Sequence, residues 1–290
     1  MKLPTTCALC LDAPAEGKGE HVWPSWYLRF LDLSGRPRSP WSSGGEPLVD
    51  RRGQPIHPER RQRVLLPACL SCNNELNRRF EVPAKTLIKR LAATNWVGHA
   101  TAEEWRTIGL WFAKVLLLLG HPSARYEHPV IDDRAVRFRG ALPTYHWLVN
   151  GGPPPASLSL WVFNASEAKE AATWVLPVPR TVYTSDGLSA DYTFLRHGGR
   201  GLSATLLEHP GWPVDHPLVA SGQAWELIHS PHAGDLSSLP PHSHEVISWR
   251  SCEATLKPDR TLGDGLPPLQ GYTTWPVVPE MMDVCSSVGF

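Results

Sequence analysis

The sequence contains no run approaching the roughly 18 consecutive apolar residues of a membrane span. Its first ten residues, MKLPTTCALC, lack an apolar core followed by a cleavage site. From these two absences we expect a cytoplasmic protein that contacts no membrane. Cysteine is scarce, six in 290 residues, which excludes a disulfide scaffold at this length. Lysine is scarce too, 7 against 21 arginines; with abundant alanine, proline and glycine, that bias reflects genome composition and carries no functional weight. No internal repeat is visible. The zero net charge argues against a uniformly basic protein, yet residues 1–100 carry 15 Lys+Arg against 9 Asp+Glu, and residues 101–290 carry 13 against 19. A polyanion contact is therefore expected in the first third, the plainer alternative being a few solvated arginines.

What the chain does have is proline and tryptophan, 29 and 13 of them, well above average usage. Loops should be plentiful. Length suggests one or two domains, and we expect two. Residues 34–63, SGRPRSPWSSGGEPLVDRRGQPIHPERRQR, read as a long loop. After it, VLLPACL reads as a short strand, and ELNRRFEVPAKTLIKRLAATN as helix interrupted near Pro83. TAEEWRTIGLWFAKVLLLLG predicts a central core helix, with Thr101 and Glu104 in capping-box spacing and a stop at Gly120. From about 125 the texture changes to short apolar runs, SLSLWVF (157–163), ATWVLPV (172–178), DYTFLR (191–196) and AWELIHS (224–230). They are separated by turn residues and predict a β-rich half. The last stretch reads as irregular.

Four of the six cysteines form two Cys-x-x-Cys pairs, Cys7/Cys10 and Cys69/Cys72, with 58 residues between them. Two such knuckles supply the four thiolates of a tetrahedral structural zinc. A redox dithiol is the alternative, but it usually accompanies a βαβ pattern that is not apparent here. An all-thiolate site leaves no open coordination position, so this zinc would staple rather than catalyse. Cys252 and Cys285 read as ordinary buried thiols. Between the knuckles, GEHVWPSW (19–26) sets Glu20 beside His21. Neighbours on a strand point to opposite faces, so the two can serve one ion and one water only where the strand ends or bends. Pro24 makes such an end plausible.

Cys-x-x-Cys, then Glu20-His21 followed by a hydrophobic residue, then Cys-x-x-Cys-Asn resembles the zinc-knuckle branch of the HNH endonucleases, which use the ββα-metal (His-Me finger) fold. The resemblance covers about residues 5–81. It implies that zinc staples a β-hairpin to a helix, and that the two together hold one divalent metal against a scissile phosphate. Glu20 would ligate that metal, His21 would act as general base on the attacking water, and Asn73 would be the second ligand. Asn77, four residues on and on the same helix face, would ligate or orient. Oxygen ligands with open water positions suit Mg²⁺ or Mn²⁺. Histidine, which generally ionises near pH 6.5, can accept a proton from water at neutral pH. Arg60, Arg61, Arg63, Arg78 and Arg79 would contact flanking DNA phosphates. Two features depart from the family pattern. The 48-residue step from His21 to Cys69 is longer than usual, and the family's middle asparagine has no clear match, His57 being the only histidine in the loop. Asn73 could also be a plain helix cap.

Downstream, a Glu-bearing segment and an apolar helix with an embedded lysine, Lys114, resemble the corresponding stretch of bacterial proteins of the HNH endonuclease family. Among the remaining histidines, His242 and His244 form a His-x-His that reads as solvated. The expected architecture is α+β: a zinc-stapled HNH module over residues 1–82, then a helix-plus-antiparallel-sheet domain over 83–290. The expected activity is metal-dependent cleavage of DNA, in a setting of host defence or mobile elements by association only. We expect the second domain to restrain or direct the module through a partner protein, self-association or a ligand. The alternative is a non-catalytic zinc-stabilised module that binds nucleic acid or protein.

Overall fold

The computed structural model describes residues 6–16, 19–27, 42–43, 46–47, 52–54, 64–121, 123–126, 142–166, 178–183, 189–199, 201–209, 211–243, 246–247, 250–251 and 253–256. The fold is a mixture of helices and antiparallel sheets. Near the N-terminus a small sheet has the order β1-β2-β3, with β1 Glu20–His21, β2 Val64–Leu66 and β3 Arg125–Tyr126. Its register pairs Glu20 with Leu66 and His21 with Leu65 on one side, and Val64 with Tyr126 on the other. Entry into β1 requires glycine: Gly19 has φ +66°, and a Cβ there would lie 2.5 Å from the carbonyl oxygen of Leu66.

Three residues after β2 the chain turns into α1, Leu70–Leu76. A π turn, Asn77–Glu81, and α2, Val82–Ala93, continue the same helical run. The expected interruption at Pro83 takes a specific form. Proline cannot donate to the carbonyl one α-turn back and its ring crowds that carbonyl; the chain widens to an i→i−5 bond, Val82 N–H to the Asn77 carbonyl, and carries on. Pro83 then sits in the first turn of α2, where its missing N–H is tolerated. The boundary expected between 82 and 83 thus falls inside an unbroken helical run.

The long helix α3, Ala102–Gly120, is the centre of the core. Thr101 caps it as expected: its hydroxyl accepts from the Glu104 amide at 3.2 Å, while the Glu104 carboxylate accepts from the Thr101 amide at 2.8 Å. The first turns of α3 bury one stripe, but every residue from Trp111 to Gly120 is buried, the signature of a helix surrounded by protein. Trp111 packs on Trp23, Trp26 and Tyr27 at centroid distances of 6.4, 5.8 and 5.0 Å. On the other side Trp105 meets Trp96 and Trp225 at 6.2 and 5.6 Å. One contiguous buried cluster runs from Cys7 through α3 to Leu239, so both sides of the expected boundary share a core. Among the described residues no helix is long and apolar enough to cross a membrane.

A further helix, α4 Leu142–Asn150, interrupts the half expected to be β-rich. The large sheet that follows is antiparallel, order β8-β4-β7-β6-β5, with β4 Leu158–Ala165, β5 Val178–Tyr183, β6 Ser189–Gly199, β7 Gly201–Glu208 and β8 Trp225–Glu226. Strand β4, flanked by β8 and β7, is buried along its whole length, because one face meets α3 and the other meets a second cluster of Trp161, Phe163, Leu207, Leu218 and Ile247. The run 172–178 lies outside the described residues except for Val178.

Close packing of α3 on the segment after β8 can be tested at Gly109, where an added Cβ would lie 2.7 Å from Leu227 Cβ. Gly109→Ala gains up to about 1 kcal/mol of helix propensity, but overpacking costs about 1–3 kcal/mol. We expect a net loss near 1 kcal/mol, seen as a Tm lowered by about 2–4 °C. An unchanged or raised Tm would contradict this contact.

Candidate functional site

The two cysteine pairs meet. The ligand sulfurs of Cys7, Cys10, Cys69 and Cys72 all lie within 4.8 Å of one another, and all four thiols are free. Local geometry brings them there. Cys7 donates its amide to the Ala13 carbonyl at 2.8 Å, and Leu11, with φ 64°, donates to the Cys7 carbonyl at 3.1 Å, closing the first knuckle. The Ala8 amide bonds the Pro67 carbonyl at 2.8 Å, and the Glu16 amide bonds the Ala68 carbonyl at 3.0 Å, laying that knuckle against the second. Cys69 is the N-cap residue of α1. Asn73 is therefore inside the helix and the cap role open to it falls to Cys69.

Four sulfurs in a tetrahedron with metal–sulfur bonds of about 2.3 Å would stand about 3.8 Å apart. Cys10 and Cys69 are 4.0 Å apart, far too long for a disulfide. Electrostatics point the same way. Burial opposes ionisation of Cys10, but hydrogen bonds from the backbone of Ala13 and Asp12 and from the neighbouring thiols bring it down to about 7. Burial, together with the adjacent cysteines, pushes the Cys72 thiol well up. Thiolates this close repel one another, and a cation between them removes that repulsion. The donor set thus fits a metal ion such as zinc. Among the described residues these cysteines are the sole group of three or more Cys, His, Asp or Glu side chains gathered closely enough to hold a metal.

A second charged centre lies at the base of β1. Glu20 is buried, 6% exposed, whereas His21 on the opposite face is exposed, as strand alternation requires. The Lys114 ammonium, on α3, has no exposed surface. It donates to Glu20 Oε1 at 3.0 Å and to Glu81 Oε1 at 2.8 Å. Burial pushes the Glu20 carboxyl up against the pull of the Lys114 charge. Burial also opposes the Lys114 charge, but the two carboxylates overcome it and hold the ammonium above the ordinary lysine range. Glu20 therefore faces an internal cation through Oε1, and not solvent. Glu81 is absent from the sequence-derived site, and Lys114 figures there only as an embedded lysine. The available signal is a lone charge among ten consecutive core residues, which demands a buried partner.

The remaining site residues divide. Asn73 is half-buried and Asn77 exposed; Asn77 begins the π turn and donates its amide to the Asn73 carbonyl. Arg78 is exposed and pairs with Glu75 at 2.5 and 3.0 Å. Arg79 is turned inward, which corrects its expected place on a phosphate. Its guanidinium donates to the carbonyls of Trp147 and Leu148 at 2.6 and 2.9 Å and lies over the rings of Phe80 and Trp147. It satisfies the last carbonyls of α4. Arg60, Arg61, Arg63, His57, Cys252, Cys285 and His244 lie outside the described residues.

A separate cleft of about 350 Å³ is lined by Ser159, His209, Trp212, Glu226 and His229 among others. Ser159 Oγ lies 3.1 Å from His209 Nε2, but His209 Nδ1 accepts the Gly211 amide at 3.2 Å. The proton is then on Nε2, and the ring donates to the serine rather than activating it. Burial, with help from nearby His229, lowers the His209 pKa to about 4. His216 repeats the arrangement, with Nε2 3.1 Å from Ser251 Oγ and Nδ1 accepting the Leu218 amide. Both are neutral structural histidines.

Fold and site thus define an α+β protein with a four-cysteine cluster suited to a metal such as zinc. No family model matches the chain, and neither does any curated protein or solved structure.

If the cluster staples the N-terminal segment to α1, purified protein will contain about one zinc per chain. Cys69→Ser and Cys72→Ser will abolish it, with loss of near-native circular dichroism, since structural zinc contributes on the order of 10–16 kcal/mol in small zinc domains. Elemental analysis giving no zinc, or a fully folded, metal-free Cys69→Ser protein, would contradict the assignment.

Proposed function

We propose that the chain is a metal-dependent endonuclease of the HNH type, hydrolysing DNA phosphodiester bonds. The observation that carries this reading is the order of parts. Exposed His21 lies on β1, β1 pairs antiparallel with β2, and β2 leads through Cys69 and Cys72 into the helix bearing Asn73 and Asn77. That is a strand, a strand and a helix joined at a four-thiol cluster, the arrangement in which zinc would support a site without entering the chemistry.

In this reading His21 takes the proton from the attacking water. Asn73 and Asn77 are the oxygen donors that would hold Mg²⁺ or Mn²⁺, while Glu20, expected as a further ligand, is engaged by Lys114. Such a cation, when bound, supplies charge stabilisation at the phosphate and the leaving oxygen. Asn73 and Asn77, one helical turn apart, present side-chain carbonyls from one face. Exposed Arg78, with Arg60, Arg61 and Arg63 before the second knuckle, contacts flanking phosphates. The substrate is DNA and the acceptor is water, a reading supported by the positive first third of the chain.

A second reading, a non-catalytic zinc-stabilised module that binds nucleic acid or protein, is favoured by one observation. Glu20 is engaged by Lys114 and buried, and so is less open to a hydrated cation than the first reading wants.

The two separate on plasmid DNA. The nuclease reading predicts nicking or linearisation with Mg²⁺ or Mn²⁺, inhibition by EDTA, and a rate lowered about 10²–10⁴-fold in His21→Ala, with zinc content and DNA affinity unchanged. Absence of cleavage supports the binding module instead, and cleavage indifferent to His21→Ala overturns the role given to His21.

A further inference from the structure

We propose that Lys114 and Glu81 are positioning residues for His21: an internal ammonium, braced by Glu81, holds the Glu20 carboxylate beneath β1 and so turns the imidazole outward toward substrate. Three elements meet at one nitrogen. Glu20 comes from β1, Glu81 from the end of the π turn and Lys114 from the middle of α3, and the two hydrogen bonds are 3.0 and 2.8 Å. β1 is two residues long, with one antiparallel partner. So short a strand has little ladder to fix its twist, and the Glu20 tether supplies a fixed point one residue from His21. Gly19, with its left-handed φ, sets the strand entry, and Trp23, Tyr27 and Trp111 pack the exit. Glu20 and Lys114 fix the residue between.

The π turn ahead of Pro83 sets the direction of Glu81. An unbroken α-helix from Leu70 to Ala93 would advance about 100° per residue. The wider turn over Asn77–Glu81 changes that phase locally, and Glu81 leaves it pointing at Lys114. The same turn starts at Asn77, so one irregular segment joins a candidate ligand to the internal charge. Single-turn π segments are concentrated at functional sites. Two carboxylates and one ammonium are also an expensive way to fill a core, because apolar side chains of similar volume commonly do as well or better for stability. A positioning role accounts for what packing does not.

The kinetic consequence rests on the nuclease reading; the structural one rests on the geometry alone. The test compares Glu81→Gln, which keeps an acceptor for Lys114, with Glu81→Ala, Lys114→Met and the control Lys89→Met on the exposed face of α2. Two readouts are taken on full-length, zinc-checked protein. One is plasmid cleavage, resolved into kcat and KM. The other is the His21 ring resonance in ¹H–¹³C spectra, assigned by its loss in His21→Ala. We expect kcat to fall about tenfold in Glu81→Gln and about a hundredfold in Glu81→Ala and Lys114→Met, with KM within about twofold, because misplacement by about 1 Å is worth that much. Lys89→Met should match wild type. The His21 resonance should shift in all three site variants and stay in place in the control. If Lys114→Met does not fold, the two Glu81 variants decide. Folded Glu81→Ala protein with wild-type kcat, or a loss confined to KM, overturns the proposal. If wild type shows no His21-dependent cleavage, the nuclease reading fails, and the resonance alone judges the positioning claim: an unmoved His21 signal in Glu81→Ala overturns it.

Discussion

Four buried or half-buried thiols held within 4.8 Å of one another impose a condition that most of the N-terminal structure has to meet. Sulfur at that density either carries protons that leave poor hydrogen bonds, or loses them and repels its neighbours. A divalent cation resolves both difficulties at once. The segments the thiols join have 58 residues between them, and among the described residues the first buries few large apolar side chains, Leu9, Val22, Trp23, Trp26 and Tyr27. Without a clamp, closing so long a loop is entropically unfavourable. With one, the first knuckle lies against β2, α1 starts at Cys69, and β1 has a partner in a set register.

The clamp fixes where β1 is, but not how tightly its side chains are held. That falls to α3. A fully buried ammonium is tolerable only with matching charge in contact, and here the charge comes from two different elements. Any motion that separates β1 or the π turn from α3 exposes an unpaired charge to a core of Trp, Phe and Leu side chains. The part of the molecule that bears His21 and the core helix are therefore coupled electrostatically as well as by the Trp23–Tyr27–Trp111 stack. This coupling gives the second half of the chain a physical means of acting on the first, through a helix that also packs on the large sheet.

Much of this is legible in the residues. The capping box and apolar density of 101–120 specify α3, since both depend on contacts within a few residues. The paired Cys-x-x-Cys spacing specifies the cluster because ligand geometry is short-range. Strand alternation implies that Glu20 and His21 face opposite ways. What escapes depends on tertiary contacts. Nothing local shows that Lys114 reaches Glu20, 94 residues away, or that Arg79 closes α4 instead of meeting a phosphate. The π turn escapes because proline ordinarily signals a stop, whereas here widening one turn is enough to keep the helix going. Helix α4, LPTYHWLVN, is hidden by β-favouring aromatics and a valine whose preference tertiary packing overrides.

The claim on which the rest stands is that one ion is held by all four sulfurs. Zinc K-edge X-ray absorption on the purified full-length protein measures this directly. The account predicts a first shell of four sulfurs at about 2.3 Å. A shell of nitrogen and oxygen, fewer than four sulfurs, or no bound metal at all would contradict it.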